Sequence, residues 1–238
     1  LEEAIKEHHP KLFYIIPSFQ NPSGRTLAAD RRKAIYDLAV KYGFIIMEDD
    51  PYRDLRYTGE HLPTIKSFDT TGHVVYMGSF SKIISPGLRV GFLVAEKDIL
   101  RKCTIGKQGT DLHTPNLNQA IVDLFLRRGM LEGHIESIIP AYREKMELML
   151  EELKSFPEGT KYFVPEGGLF IWVEMPENFN ATEAFADAVE AGVAYVPGTH
   201  FYPYGGHHNT LRLNFSNSTP EQIREGMAKL RNLFAANI

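Results

Sequence analysis

The segment Gly78-Ser79-Phe80-Ser81-Lys82-Ile83-Ile84-Ser85-Pro86-Gly87-Leu88-Arg89-Val90-Gly91 sets one lysine, three hydroxyls and one arginine around an expected strand end. An amine can form a Schiff base with an aldehyde, while Ser79, Ser81 and Arg89 can hold a phosphate dianion through charge-assisted hydrogen bonds. The combination suits a phosphate-bearing aldehyde cofactor, pyridoxal 5′-phosphate. Such a cofactor also needs control of its ring nitrogen and its phenolic oxygen. Asp49, in Glu48-Asp49-Asp50-Pro51-Tyr52, follows the apolar run Phe44-Ile45-Ile46-Met47 and could pair with a protonated pyridine nitrogen. Tyr52 and Asn21 could hydrogen-bond the phenolic oxygen. Asn21 lies in Gln20-Asn21-Pro22-Ser23-Gly24, directly after the run Phe13-Tyr14-Ile15-Ile16-Pro17, so it too is expected at a strand's carboxyl end. Ligands of open α/β sheets commonly bind at such ends.

Other readings of the same residues compete with this one. Ser79-Phe80-Ser81-Lys82 matches the Ser-x-x-Lys motif of serine β-lactamases and penicillin-binding proteins, but the companion tripeptides Ser-Asp-Asn and Lys-Thr-Gly do not occur in the chain. Glu48, Asp49 and Asp50 resemble an acidic metal site, yet adjacent residues on a strand alternate in direction and cannot all face one ion. On that reading Asp50 is a loop acid or a helix cap. His207-His208 sits in a Gly-rich turn without an obvious third ligand and reads as a solvated turn, so no metal is expected. Trp172 and the other aromatics read as packing; for Phe201, Tyr202 and Tyr204 the alternative is that their segment resembles a substrate-entrance loop of a known enzyme family.

Composition narrows the class. With 238 residues and 43% hydrophobic content the chain can bury one large core or two small ones. A formal charge of -4 provides no broad basic field, which argues against nucleic acid or an anionic membrane as the main partner. No apolar run approaches the roughly 20 residues that span a bilayer, and the charged start Leu1-Glu2-Glu3-Ala4-Ile5-Lys6 does not read as a signal peptide. The single Cys103 rules out an internal disulfide, and a cytoplasmic location is the expectation.

The elements that must position these residues follow from the hydrophobic periodicity. Residues 12 to 17, 44 to 48, 73 to 77 and 90 to 95 read as strands of a mostly parallel sheet, with a helix over 30 to 42 stopped by Gly43. Ile35, Leu38, Ala39 and Tyr42 are its expected inner face. Residues 115 to 156 read as helical with a break near Gly129. Further strands are expected near 161 to 164, 169 to 174, 193 to 196 and 210 to 214, with a helix starting at Asn180 and a last one capped by Thr219-Pro220-Glu221-Gln222. In a strand Arg212 would point opposite to Leu211 and Leu213, as a cleft-lining residue does. The expected organisation is a cofactor domain over residues 1 to 132 and a small α+β domain over 133 to 238 that includes the connecting helix.

With these motifs in order, the chain resembles the fold type I pyridoxal-phosphate-dependent aminotransferases of classes I and II, especially the 2-aminoadipate, kynurenine and aromatic aminotransferase branch. The resemblance covers essentially the whole chain. It implies an α/β fold whose mostly parallel sheet belongs to the large domain of that family, here incomplete, followed by a small α+β domain. It further implies that Lys82 is the Schiff-base lysine, Asp49 the pyridinium partner, Tyr52 and Asn21 the phenolate ligands, and Ser79, Ser81 and Arg89 the phosphate ligands. Thr210-Leu211-Arg212-Leu213-Asn214-Phe215-Ser216 resembles the segment that binds the substrate α-carboxylate, which places Arg212 there together with Asn21. The implied partners are an amino acid, a 2-oxo acid and a second subunit in a homodimer. Leu1 reads as an internal start, so the chain reads as a fragment inactive alone, the preceding part carrying further cofactor and dimer contacts. Two other activities share this machinery: β-elimination, and a sensor domain of a transcription regulator.

Overall fold

The computed structural model describes residues 1 to 237. It divides into two compact units, one formed by Leu1–Ser18 and Thr26–Ser137, the other by Phe19–Arg25 and Ile138–Ile238. The division therefore falls five residues later than the sequence-based boundary at 132/133, and it assigns residues 19 to 25 to the second unit.

The first unit is built on a four-stranded sheet in the order β1-β2-β3-β4. After helix α1 (Glu2–His8), β1 (Leu12–Ile15) is followed by α2 (Ala29–Tyr42) and β2 (Ile45–Asp49), then by a 3₁₀ turn at Lys66–Phe68 and β3 (Val74–Ser79). β1 pairs with β2 and β2 with β3 in parallel, the first pair joined through helix α2 and the second through the connection that holds the 3₁₀ turn. The next strand, β4 (Gly91–Val94), runs antiparallel to β3 and forms the other edge. Helix α2 ends where Gly43 adopts φ 72°, a left-handed conformation that costs glycine no Cβ clash, and its N–H bonds Ala39 O at 2.8 Å. Ile35, Tyr36 and Ala39 from α2 pack with Phe44 and Ile46 of the β2 segment and with Val74 of β3, and Leu38 and Tyr42 join at the margin. Helices α3 (Lys97–Thr110) and α4 (Asn116–Arg127) follow β4.

Helix α5 (Met130–Leu153) begins in the first unit and continues in the second, with Pro140 inside it. The second unit has its own antiparallel sheet, formed by β5 (Lys161–Tyr162), β6 (Phe170–Glu174), β7 (Val196–Pro197) and β8 (Thr210–Asn214) in the order β5-β6-β8-β7. Ile171 and Val173 of β6 and Leu211 and Leu213 of β8 are buried on one face by strand alternation. Helix α6 (Phe185–Glu190) starts later than the expected Asn180, whose side chain instead accepts the Thr182 and Glu183 N–H groups of a preceding turn. Helix α7 (Pro220–Ala236) has the expected capping box: Thr219 accepts from Gln222 N, and the Gln222 side chain accepts from Thr219 N. Its inner side chains Ile223, Met227, Leu230 and Phe234 are buried, and Phe234 meets the rings of Phe156, Phe179 and Tyr195. Among the described residues no helix is long and apolar enough to cross a membrane.

Candidate active site

In the first unit the parallel strands β2 and β3 end beside each other. Asp49, the last residue of β2, is opposite Met77, and β3 continues two residues further to Ser79. Burial alternates along the acidic run: Glu48 and Asp50 are buried, whereas Asp49 faces the other way and stays accessible. Tyr14 of β1 donates its hydroxyl to Asp49 Oδ2 at 2.6 Å. Burial, reinforced by that hydrogen bond to a carboxylate, holds the Tyr14 pKa well above the usual phenol range. Tyr52 follows in the turn after β2, buried at its side chain, with its carbonyl accepting Leu55 N at 2.9 Å.

Beyond β3 the chain forms a tight turn in which Phe80 O accepts Ile84 N and Ser85 N, and Phe80 N bonds back to Val90 O at 3.1 Å. Within it Ser81 N donates to Ser79 Oγ at 3.1 Å. Lys82 is half-buried, and its amine has no hydrogen bond or ion pair among the described residues. Arg89 has φ 55°, an uncommon left-handed value for a residue with a Cβ, and its guanidinium spends one donor on Pro86 O at 3.2 Å. Asn118 of α4 fixes the adjoining backbone by donating to Leu88 O at 2.9 Å.

Behind β2 lies a charged cluster that the sequence reading did not contain. Arg32 of α2 is fully buried and donates to Leu27 O at 2.8 Å, Pro63 O and Pro17 O at 3.0 Å, and Ser18 Oγ at 3.2 Å. Glu48 accepts Ile65 N and Lys66 N, one on each carboxylate oxygen, both at 2.7 Å. Even so, burial pushes its pKa up to about 7. Asp50 lies in the connection directly after β2, as a loop acid does, but is buried at 4% exposure. Its two carboxylate oxygens make no hydrogen bond among the described residues, the Ser18 hydroxyl being near but outside hydrogen-bonding geometry. Burial raises its pKa to about 6 against the pull of Ser18, Arg32 and Arg53. Arg32 was legible in principle, since it precedes Ile35, Tyr36 and Ala39 at three, four and seven residues and so lies on the apolar stripe of α2. Tyr14 left a fainter signal, a phenol in a run otherwise apolar, whose hydroxyl needs a partner.

The second unit holds Asn21 and Arg212 together. Arg212 Nη1 donates to Asn21 Oδ1 at 2.6 Å, and its guanidinium lies 4.2 Å from the centre of the Phe170 ring and 5.4 Å from that of Phe201. Arg212 is opposite Trp172 on β6 and Val196 on β7, on the face away from buried Leu211 and Leu213. Trp172 meets Phe201 and Tyr202 edge-on or tilted, and Tyr202 stacks on His207 at 3.9 Å. Gly168, at φ 78°, brings the backbone against Phe19, where a Cβ would lie 2.6 Å from Phe19 Cβ. The Asn21-Pro22 peptide is cis.

The first unit thus sets a half-buried amine beside hydroxyls and an arginine, with an accessible carboxylate at the neighbouring strand end, and the second unit separately holds a guanidinium over two aromatic rings. The family model for aminotransferase class I and II matches residues 1–230, and the chain belongs to that family. It is 44% identical over 232 residues to aromatic-amino-acid aminotransferase 1 of Thermococcus litoralis, covering 97% of this chain and 56% of that protein. To the 2-aminoadipate transaminase of Thermus thermophilus it is 42% identical, covering 97% of this chain and 59% of the relative. The crystal structure of Pyrococcus horikoshii kynurenine aminotransferase, in complex with PMP, superimposes with a TM-score of 0.95 at 42% identity, over 100% of this chain and 60% of that one. The chain thus spans less than two thirds of the length of these relatives. Its α/β fold with a parallel-rich sheet is that of their large domain.

Proposed function

We propose that the protein is a pyridoxal 5′-phosphate-dependent aminotransferase that moves an amino group between an amino acid and a 2-oxo acid. The observation that carries this reading is the adjacency of the β2 and β3 ends, which puts Asp49 and the Ser79-Lys82 turn on one edge of one sheet. The residues fit the group: Ser79, Ser81 and Arg89 offer hydroxyls and a guanidinium to a phosphate, and Lys82 offers an amine with no competing partner among the described residues. When bound, pyridoxal phosphate supplies an aldehyde that captures amines and a ring that takes up the electron pair left at the substrate Cα.

Each residue then has a separate task. Lys82 Nζ would hold the aldehyde and would serve as general base and acid for the proton at the substrate Cα. Asp49 would keep a proton on the ring nitrogen, and Tyr52 and Asn21 would supply donors to the phenolic oxygen. Asn21 Oδ1 is already occupied by Arg212, so its Nδ2 is the group available for that role. Arg212 takes the substrate α-carboxylate, its plane set by Asn21 and by the Phe170 ring.

A cytoplasmic homodimer is part of the same proposal. Leu117, Ile121 and Leu124, at helical spacing on α4, expose one apolar face, which supports association. The test of function is a visible absorbance titration with pyridoxal phosphate, then borohydride reduction and peptide mapping. A saturable band with the reduced group on Lys82, lost in Lys82→Ala together with amino transfer, is the expected result. A label on another lysine, or full turnover by the variant, would overturn the assignment, and release of ammonia in place of transfer would indicate elimination.

A further inference from the structure

We infer that Tyr14 is a positioning residue for Asp49, fixing one carboxylate oxygen so that the other is presented to the ring nitrogen of the cofactor; the inference rests on the function proposed above. The register explains the contact. Tyr14 is opposite Met47 in the parallel β1-β2 pair, and Asp49 is two residues further along β2, hence on the same face and one pleat nearer the strand end. From there the phenol reaches diagonally forward and its hydroxyl donates to Oδ2 at 2.6 Å. No other hydrogen bond to the Asp49 carboxylate is formed among the described residues, so this one contact restricts rotation about its terminal torsion.

Two features separate this contact from ordinary strand packing. First, Tyr14 lies on an edge strand of the described sheet and the residue is only partly buried, 55% exposed, so core packing alone does not fix its ring. Second, the neighbouring acids Glu48 and Asp50 point to the other face, so Asp49 is the single carboxylate of the run that Tyr14 meets. A donor behind a functional group that leaves its other atom free is the usual arrangement by which outer residues orient inner ones.

The test is a double-mutant cycle in the complete protein, with Tyr14→Phe, Asp49→Ala and both together, reading the dissociation constant for pyridoxal phosphate by absorbance titration and the thermal midpoint of the unloaded protein. Tyr14→Phe should weaken binding roughly 5- to 10-fold when Asp49 is present, the coupling expected of directly bonded groups, and by less than about twofold in the Asp49→Ala background. Equal losses in both backgrounds would overturn the inference. So would an unchanged dissociation constant accompanied by a lowered thermal midpoint, which would make the hydrogen bond a strand tie alone. If the unmutated protein forms no adduct on Lys82, the proposed function itself fails, an outcome distinct from loss of coupling in a protein that does form it.

Discussion

Replacing Arg32 with methionine keeps most of the buried aliphatic stem and deletes the guanidinium. Three carbonyls, Leu27 O, Pro17 O and Pro63 O, lose charged donors at 2.8 to 3.0 Å, and Ser18 loses another at 3.2 Å. A hydrogen bond to a charged group contributes about 1.5–3 kcal/mol, but one side chain makes all four, and their energies do not add. The buried carboxyls of Glu48 and Asp50 also lose a cation whose charge acts on both. Removing one partner from a buried charged cluster costs about 3–5 kcal/mol, which is the expected loss for Arg32→Met. Because the chain has two units, a single global transition is a poor gauge, and native-state hydrogen exchange at β2 is the appropriate assay. The amides of Ile45, Ile46 and Asp50 bond Lys11 O, His73 O and Met77 O across the sheet. Their exchange should accelerate by roughly 10² to above 10³, since about 1.4 kcal/mol corresponds to tenfold. Arg31→Met, at the exposed neighbouring position, is the control and should change little. Less than a tenfold acceleration, or one matched by the control, would refute the view that Arg32 holds this sheet end together.

Two further substitutions test other parts of the structure. In the folded chain Asp50 titrates at about 6, above its ordinary value of 3.8, so between these pH values the folded state keeps a proton that the unfolded state has released. That stabilisation is complete below about pH 4 and is lost as pH rises through 6; Asp50→Asn should therefore gain on the wild type across this window and level off above it, and a pH-independent difference in exchange at Ile46 would contradict the burial argument. In the second unit a Cβ on Gly198 would collide with Thr210 Oγ1 and lie 2.7 Å from Thr210 Cβ and 2.8 Å from its carbonyl carbon, so Gly198→Ala should destabilise by about 1–3 kcal/mol, read by urea unfolding through the fluorescence of Trp172; an unchanged midpoint would show that β7 can move aside.

Much of the architecture is written locally in the chain. The helix over 30 to 42 with its Gly43 stop, the strand runs that end in Asp49 and Ser79, and the Thr219 cap all depend on neighbours within a few residues, which is why periodicity and capping reveal them. What stayed hidden depends on distant partners. Val90 to Ala95 reads like any buried strand, and nothing local tells that β4 runs antiparallel. Helix α3 carries Gly106 and Gly109, poor helix formers, and the turn held by Asn180 delays α6 until Phe185. At the site, side chains with obvious chemistry were legible by type and spacing. Arg32 and Tyr14 left only an out-of-place polar group in an apolar pattern, because their importance lies in what they touch 31 and 35 residues away, at Pro63 and Asp49.

The seven residues from Phe19 to Arg25 have a consequence for how this protein can vary. They leave the first unit and return to it, yet pack with the second: Phe19 against Gly168, Gly24 beside Phe170 O, Asn21 on Arg212. The second unit is therefore not a contiguous stretch of gene. A chimera joined at residue 138 would inherit Arg212 from one parent and Asn21 from the other, so grafting the hydrogen-bonded Arg212–Asn21 pair between relatives requires two exchanges, one of them only seven codons long.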